Sequence, residues 1–166
     1  MKDFVNWAIV APGNIAEKMG EAMFVTSQKN SSIKCYAVAS RNLEKAKKFC
    51  NKWNFKKAYG NYDELYCDKN VDAVYIASPH AFHYEMIKNC LKNGKHVLCE
   101  KPATVNSAML NEVIALAVEK KLFFMEALWT AFNPTFNKVL ETIQNGVIGN
   151  VLNVRSFFLQ QKRIRF

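Results

Sequence analysis

The sequence is poor in the residues that break regular structure: six glycines and four prolines in 166 residues. No Ser- or Pro-rich stretch divides it, so a low-complexity linker is excluded. With half its residues hydrophobic and 22% charged, it is neither a collagenous nor a disordered chain. Its five cysteines, Cys35, Cys50, Cys67, Cys90 and Cys99, are odd in number and widely spaced, with no CxxC pair and no Cys/His cluster. That pattern excludes the ligand spacing of a structural zinc site and the framework of a disulfide-stapled domain, and it suits a reducing cytosol. No apolar run approaches the roughly 20 residues of a membrane span. Asp3 and Asn6 interrupt the start of the chain, where a secretory signal would be apolar. The expectation is a soluble, cytoplasmic protein without a membrane partner. Acidic residues are also scarce, 14 against 23 Lys and Arg, and the net charge of +9 favours anionic partners. Lys45, Lys47, Lys48, Lys52, Lys56 and Lys57 fall in or just after one expected helix. A solvated helix face explains them as well as an anionic ligand does. No nucleic-acid motif accompanies the charge, and nucleic acid is not the expected partner.

What is present is a regular alternation of short apolar runs with longer amphipathic ones. Apolar runs predict strands over 5–11, 33–40, 57–59, 72–78, 96–99, 122–127 and 151–160. Helical spacing predicts helices over 15–25, 43–53, 61–67, 81–93, 105–120 and 134–145. In the second of these, Leu43, Ala46, Phe49, Cys50 and Trp53 share one face. Gly94 and Gly146 stand where helix C-terminal glycines belong. The crossovers are long enough for parallel pairing. The expected class is therefore α/β, a Rossmann-type doubly wound parallel sheet with helices on both faces. Near Gly149 the rhythm gives way to one long strand and a basic tail, which places an expected boundary between residues 1–148 and 149–166.

Three constellations carry chemistry. The first is the turn Ala11-Pro12-Gly13-Asn14-Ile15-Ala16, between the first strand and the first helix. A G-x-G-x-x-G/A fingerprint needs small residues here, so that the backbone approaches a pyrophosphate and a helix N-terminus points at it. Gly13 and Ala16 meet that need, while Ala11 replaces the first glycine; an ordinary β-to-α turn reads the same. The second is Ser40-Arg41, after the second strand. An acid at this place bonds the ribose hydroxyls of NAD, whereas an Arg accommodates the 2′-phosphate of NADP. A surface arginine at a strand end is the plainer alternative.

The third is Ser78-Pro79-His80-Ala81-Phe82-His83, followed by Gly94-Lys95-His96-Val97-Leu98-Cys99-Glu100-Lys101-Pro102. This stretch resembles the signature of the Gfo/Idh/MocA oxidoreductases, NAD(P)-dependent enzymes acting on sugars, inositols, dihydrodiols and related polyols. The resemblance extends from Trp7 to about Val154 and takes in Gly13-x-Ile15-Ala16, Ser40-Arg41 and His83. Met125-Glu126-Ala127-Leu128-Trp129 with Phe132-x-Pro134 resembles the dihydrodiol and aldose dehydrogenase branch. It implies that Lys101 is the catalytic lysine and that the bond into Pro102 is cis. It implies cofactor contacts from Gly13, Asn14, Ile15, Ala16, Ser40, Arg41, Ser78, Pro79, His83, Glu100, Lys101 and Trp129, with NADP favoured and NAD the alternative. An ammonium at Lys101 can hydrogen-bond a substrate hydroxyl and steer its proton as hydride leaves for the nicotinamide. Glu100 is placed to hold that lysine or tune its charge.

His80 and His83 lack a third ligand at metal spacing, so no metal is expected. Trp129 and Phe132 line either a cleft or a core. Ala131 stands where the aldose-type branch often carries Arg. The resemblance further implies a second, largely antiparallel domain that bears substrate contacts and a further catalytic Asp or His. That domain often forms the face of a homo-oligomer, and only its first strand, 151–160, falls in this chain. Two functional readings follow. One is an oxidoreductase acting on a small polyol or sugar-like substrate. The other is a truncated dinucleotide-binding module without turnover.

Overall fold

Alternation along the strands creates the layers. In the computed structural model, which describes residues 3–155, β1 (Val5–Val10) sends Ala8 and Val10 to one side of its sheet and Ile9 to the other. β2 (Ile33–Ala39) divides in the same way, Ala37 and Ala39 against Val38. β4 (Ala73–Ile76) sets Val74 and Ile76 against Tyr75, and β5 (His96–Glu100) sets Val97 and Cys99 against Leu98. Both sides are apolar, so both must be covered. α1 (Asn14–Lys29) and α2 (Leu43–Trp53) cover one with Ala16, Met23, Ala46 and Phe49. α3 (Tyr62–Cys67), α4 (His83–Lys92) and α5 (Ser107–Lys120) cover the other with Leu65, Ile87, Leu91 and Val113. β3 (Lys57–Tyr59) and β6 (Phe124–Ala127) complete six strands in the order β3-β2-β1-β4-β5-β6, and every pair is parallel. This is the doubly wound Rossmann arrangement that the sequence predicts.

Element ends differ from expectation where local chemistry decides them. The first strand stops at Val10 because Ala11 turns into the left-handed region, φ 62°. α1 runs on to Lys29, past the predicted end at 25, because no breaker intervenes before Asn30. The predicted helix over 81–93 divides into a 3-10 turn, His80–Phe82, and α4. α5 starts at Ser107 because the Asn106 side chain accepts from the Met109 N–H. α2 and β3 span the predicted residues. The strand expected over 151–160 does not form over 151–155, which are exposed coil; residues 156–160 lie outside the described part. A strand without a partner for its N–H and C=O groups has nothing to hold it extended. Among the described residues, no helix is long and apolar enough to cross a membrane.

The chain divides into two compact units, Met1–Ala127 and Leu128–Phe166. The first holds the whole sheet. The second opens with a 3-10 turn, Trp129–Phe132, followed by α6 (Pro134–Gln144), none of whose residues is buried.

Two packing devices hold the first unit. Gly20 lets α1 lie close on α2: a Cβ there would sit 2.7 Å from Phe49 Cζ and 2.8 Å from Trp53 Cδ1. Near the β2–β3 edge, Asp68 Oδ2 accepts from Tyr59 Oη at 2.5 Å, Tyr36 Oη at 3.1 Å and Lys57 Nζ at 3.2 Å. Its Oδ1 accepts from the Asn70 backbone N–H at 2.9 Å. The buried Lys95 ammonium donates to the Asp68 and Val71 carbonyl oxygens, at 2.6 and 2.9 Å. Burial alone would raise the Asp68 carboxyl pKa, but these donors outweigh it and hold it well below the usual carboxylate range. The unfolded chain therefore binds the proton first as pH falls.

Two stability predictions follow from these contacts. The Asp68 contribution is present above the ordinary carboxylate range and is lost on acidification, so the urea midpoint should fall progressively as pH drops below about 4. Asp68→Asn should cost about 1–3 kcal/mol at neutral pH and flatten that acid limb. Ala11→Gly should raise stability by about 0.5–1 kcal/mol in urea denaturation, because the left-handed penalty on a Cβ exceeds the chain entropy that glycine adds to the unfolded state.

Candidate functional site

In a sheet covered on both faces, open backbone and polar side chains gather at the strand ends. The strand order reverses between β1 and β4, and outside the carboxyl ends there lies a cavity of about 570 Å³. Ligands bind at this kind of crevice in open α/β sheets. Ala11, Pro12 and Gly13 line it from the turn after β1, Ser40, Arg41 and Lys45 from beyond β2, and Tyr62 from α3. Ala77, Ser78, Pro79, Phe82 and Met86 line it from beyond β4.

Side-chain caps close some of the helix starts and leave others open. Asn42, Asn61, Asn106 and Asn133 each cap their helix by accepting a backbone N–H through the side chain. α4 has no side-chain cap, and neither has α1, which Gly13 precedes. Its first-turn N–H groups and the positive end of its dipole are left for an anion at a cavity that Gly13 lines. Ala16 is fully buried in the core beneath α1, so its small size serves helix–sheet packing. Asn14 and Ile15 are exposed and do not line the cavity.

The second turn brings two cations to the cavity. Ser40 Oγ accepts from the Asn42 N–H at 3.2 Å, and Asn42 Oδ1 accepts from the Lys45 N–H at 3.1 Å. This tight start to α2 leaves Arg41 and Lys45 exposed on the cavity wall. Sequence reasoning does not single out Lys45. The available signal is its place four residues after Arg41, one turn into the helix.

The third constellation assembles through buried polar contacts. His83 is fully buried. Its Nε2 lies 2.8 Å from the Ser78 carbonyl oxygen and its Nδ1 2.8 Å from that of Pro102. His83 thus ties the segment after β4 to the segment after β5, and its ring reaches any ligand only through those two carbonyls. The Lys101–Pro102 bond is cis. Lys101 is exposed, and among the described residues its ammonium makes no ion pair. Glu100 meets Lys101 through the lysine's backbone and makes no ion pair with its ammonium. Glu100 Oε1 accepts instead from the buried Tyr75 hydroxyl at 2.5 Å, and Oε2 from the Lys101 backbone N–H at 3.3 Å. Glu126 Oε1 accepts from the Ala103 N–H at 2.8 Å. Tyr75 carries no motif, and the segment over 125–129 that holds Glu126 gives it no role, so strand register reveals both contacts. His80 is exposed, its ring edge-on to that of His83.

Among the described residues, no three His, Cys, Asp or Glu side chains gather as a metal site. Burial pushes the Cys50 thiol up to about 11, and raises Cys90 and Cys99 as well, which leaves them unsuited to nucleophilic work. Trp129 and Phe132 are exposed in the second unit and belong to no core.

Comparison with known proteins bears on this geometry. Residues 5–128 match the family described as the Gfo/Idh/MocA oxidoreductase family, NAD-binding Rossmann fold. The chain is 40% identical over 154 residues to mouse trans-1,2-dihydrobenzene-1,2-diol dehydrogenase, covering 93% of this chain and 46% of that protein. The Xenopus laevis protein of the same name is 38% identical over 152 residues, 92% of this chain and 46% of the relative. The chain thus spans about half the length of these curated relatives. Among solved structures, the 3-ketoreductase KijD10 from Actinomadura kijaniata, crystallised with NADP, superposes with a TM-score of 0.81. It is 29% identical, over 88% of this chain and 45% of that one. With the strand order, the cavity at the switch point and the Glu-Lys-cis-Pro turn, these matches establish that the chain belongs to the Gfo/Idh/MocA oxidoreductase family.

Proposed function

We propose that this chain is the cofactor-binding part of an NADP-preferring oxidoreductase that transfers hydride between the nicotinamide and a carbinol or carbonyl carbon. The substrate is a small sugar, polyol or dihydrodiol-like molecule. In this reading residues 1–148 serve the cofactor, and 149–166 begin a substrate domain. The observation that carries it is the pairing of Arg41 and Lys45 on one cavity wall with an α1 N-terminus that has no side-chain cap. A dinucleotide with a 2′-phosphate presents negative charge at two places, the pyrophosphate and the adenosine ribose. The cavity offers matching groups: first-turn amides beside Gly13 for the former, and the Arg41 fork, the Lys45 ammonium and the Ser40 hydroxyl for the latter. Its volume of about 570 Å³ lies in the range of ligand sites. The names of the curated relatives support a dehydrogenase, and the NADP bound to KijD10 supports the cofactor.

The bound nicotinamide supplies the hydride acceptor or donor. This chain's residues do the rest. Pro79 and Phe82 wall the cavity beyond β4, and Ser78 presents its carbonyl to His83 there. Lys101, with no carboxylate on its ammonium, donates to the substrate oxygen and stabilises charge developing on it. Glu100 and His83 fix the backbone on either side of that lysine. The exposed Trp129 is the remaining cofactor-side residue that the family resemblance assigns.

The second reading is a dinucleotide-binding module without turnover. Titration of the purified chain, followed by cofactor fluorescence, tests the binding step. NADPH should bind more tightly than NADH. Arg41→Asp should weaken NADPH about 10–100-fold, the worth of one charge-assisted contact, and reverse the order. Equal affinities in the parent chain would overturn the NADP assignment. Dehydrogenase activity of the 166-residue chain that Lys101→Ala abolishes would overturn the module reading.

A further inference from the structure

Tyr75 is the largest side chain that the fold buries completely, and it is placed in the middle of the sheet with a hydroxyl that must find a partner. Its register neighbour on β5 is Leu98, so Glu100, two residues further along, projects on the same face. The phenol reaches along β5 and donates to Glu100 Oε1 at 2.5 Å. Burial, and then the carboxylate itself, push the Tyr75 pKa up, so the phenol keeps its proton and stays a donor. The other Glu100 oxygen accepts the Lys101 backbone N–H. Both oxygens of the one carboxylate adjacent in sequence to Lys101 are therefore engaged, and neither engages the lysine's ammonium. On the next strand, the only other carboxylate bonded to this turn, that of Glu126, is taken by the Ala103 N–H.

We propose that Tyr75 is a positioning residue for Lys101. By capturing the Glu100 carboxylate on the sheet face, it keeps that carboxylate from neutralising the Lys101 ammonium, which remains available to a substrate oxygen. The role acts through Glu100 and involves no contact with substrate. It rests on the reading of Lys101 as the catalytic lysine, but concerns the local geometry alone.

Differential acylation of the 166-residue chain by N-hydroxysuccinimidyl acetate at fixed pH, with Lys101 followed by peptide mass spectrometry, tests it without requiring turnover. In Tyr75→Phe the freed Glu100 carboxylate pairs with Lys101, and a paired ammonium gives up its proton less readily. Acylation should slow about fivefold, the factor that ~1 kcal/mol of exposed ion pairing represents. Tyr75→Phe/Glu100→Gln should return Lys101 to the parental rate, although the phenol is still missing. A merely structural role would lower the urea midpoint in both variants and give no such rescue. Lys101 reactivity that is unchanged in Tyr75→Phe, or equally slowed in the double variant, overturns the proposal. If Tyr75→Phe fails to fold, Glu100→Gln alone decides: the parental rate is expected, and faster acylation would mean that Glu100 already restrains the lysine. Loss of the catalytic reading of Lys101 would appear separately, as activity surviving Lys101→Ala.

Discussion

A parallel sheet covered on both faces has no polar face, and most of this protein's arrangement follows from that constraint. Strand residues alternate between two apolar layers, so polar groups are either paired inside or displaced to the strand ends. The few that stay inside show the rule. His83 lies between two carbonyls, Lys95 donates to two, and Tyr75 meets a carboxylate. No buried side-chain nitrogen or oxygen among the described residues lacks a partner. Each buried pair also ties the end of one strand to a neighbouring segment, so satisfying buried polarity and shaping the site are the same act.

The two sheet edges are used differently. At the amino ends, Lys95 and the segment between Asp68 and Asp72 lock α3, β4 and β5 together through bonds to backbone carbonyls. At the carboxyl ends, the groups on the cavity wall keep free capacity: an N-terminal helix turn without a cap, and two exposed cations. Four other helix starts carry asparagine caps, whereas α1 and α4 carry none, and of these two it is the α1 start whose Gly13 lines the cavity. Closing the turn with Asn or Ser would stabilise α1 by capping it and would consume the amides a phosphate needs.

Much of this was legible in the sequence, because the signals were local. Short apolar runs marked the strands, and the five-residue set on α2 marked its buried face. Gly13, Ser40 and Arg41 were identified by position at strand ends, Ser78 and Pro79 through the family resemblance, and all five line the cavity. What was hidden depended on register or on backbone sign. Ala11 is a residue type that rarely enters the left-handed region, so nothing in its identity announces φ 62°. Tyr75 and Glu100 are 25 residues apart and meet only because β4 and β5 pair as they do. Lys45 was visible as one of many helix lysines, and only the direction in which α2 leaves the Ser40–Asn42 turn makes it a cavity residue. The strand expected over 151–160 failed over 151–155 for a non-local reason as well: hydrophobic alternation supplies a face but not a partner strand.

The scarcity of acids bears directly on the lysine. In a chain with 14 Asp and Glu and 23 Lys and Arg, the Lys101 ammonium gains little from one more positive neighbour and loses most from a misplaced acid. Two of those acids, Glu100 and Glu126, stand at the ends of the strands that flank the Lys101 turn, at β5 and within β6. Glu100 is half-buried and Glu126 exposed, and the simplest partner for either carboxylate would be the ammonium itself. The fold pairs them with a phenol and with backbone N–H groups instead. These neutral donors stabilise the carboxylates without drawing on the lysine's charge. The two acids can then stiffen the turn that carries Lys101 while leaving its reactive end unpaired.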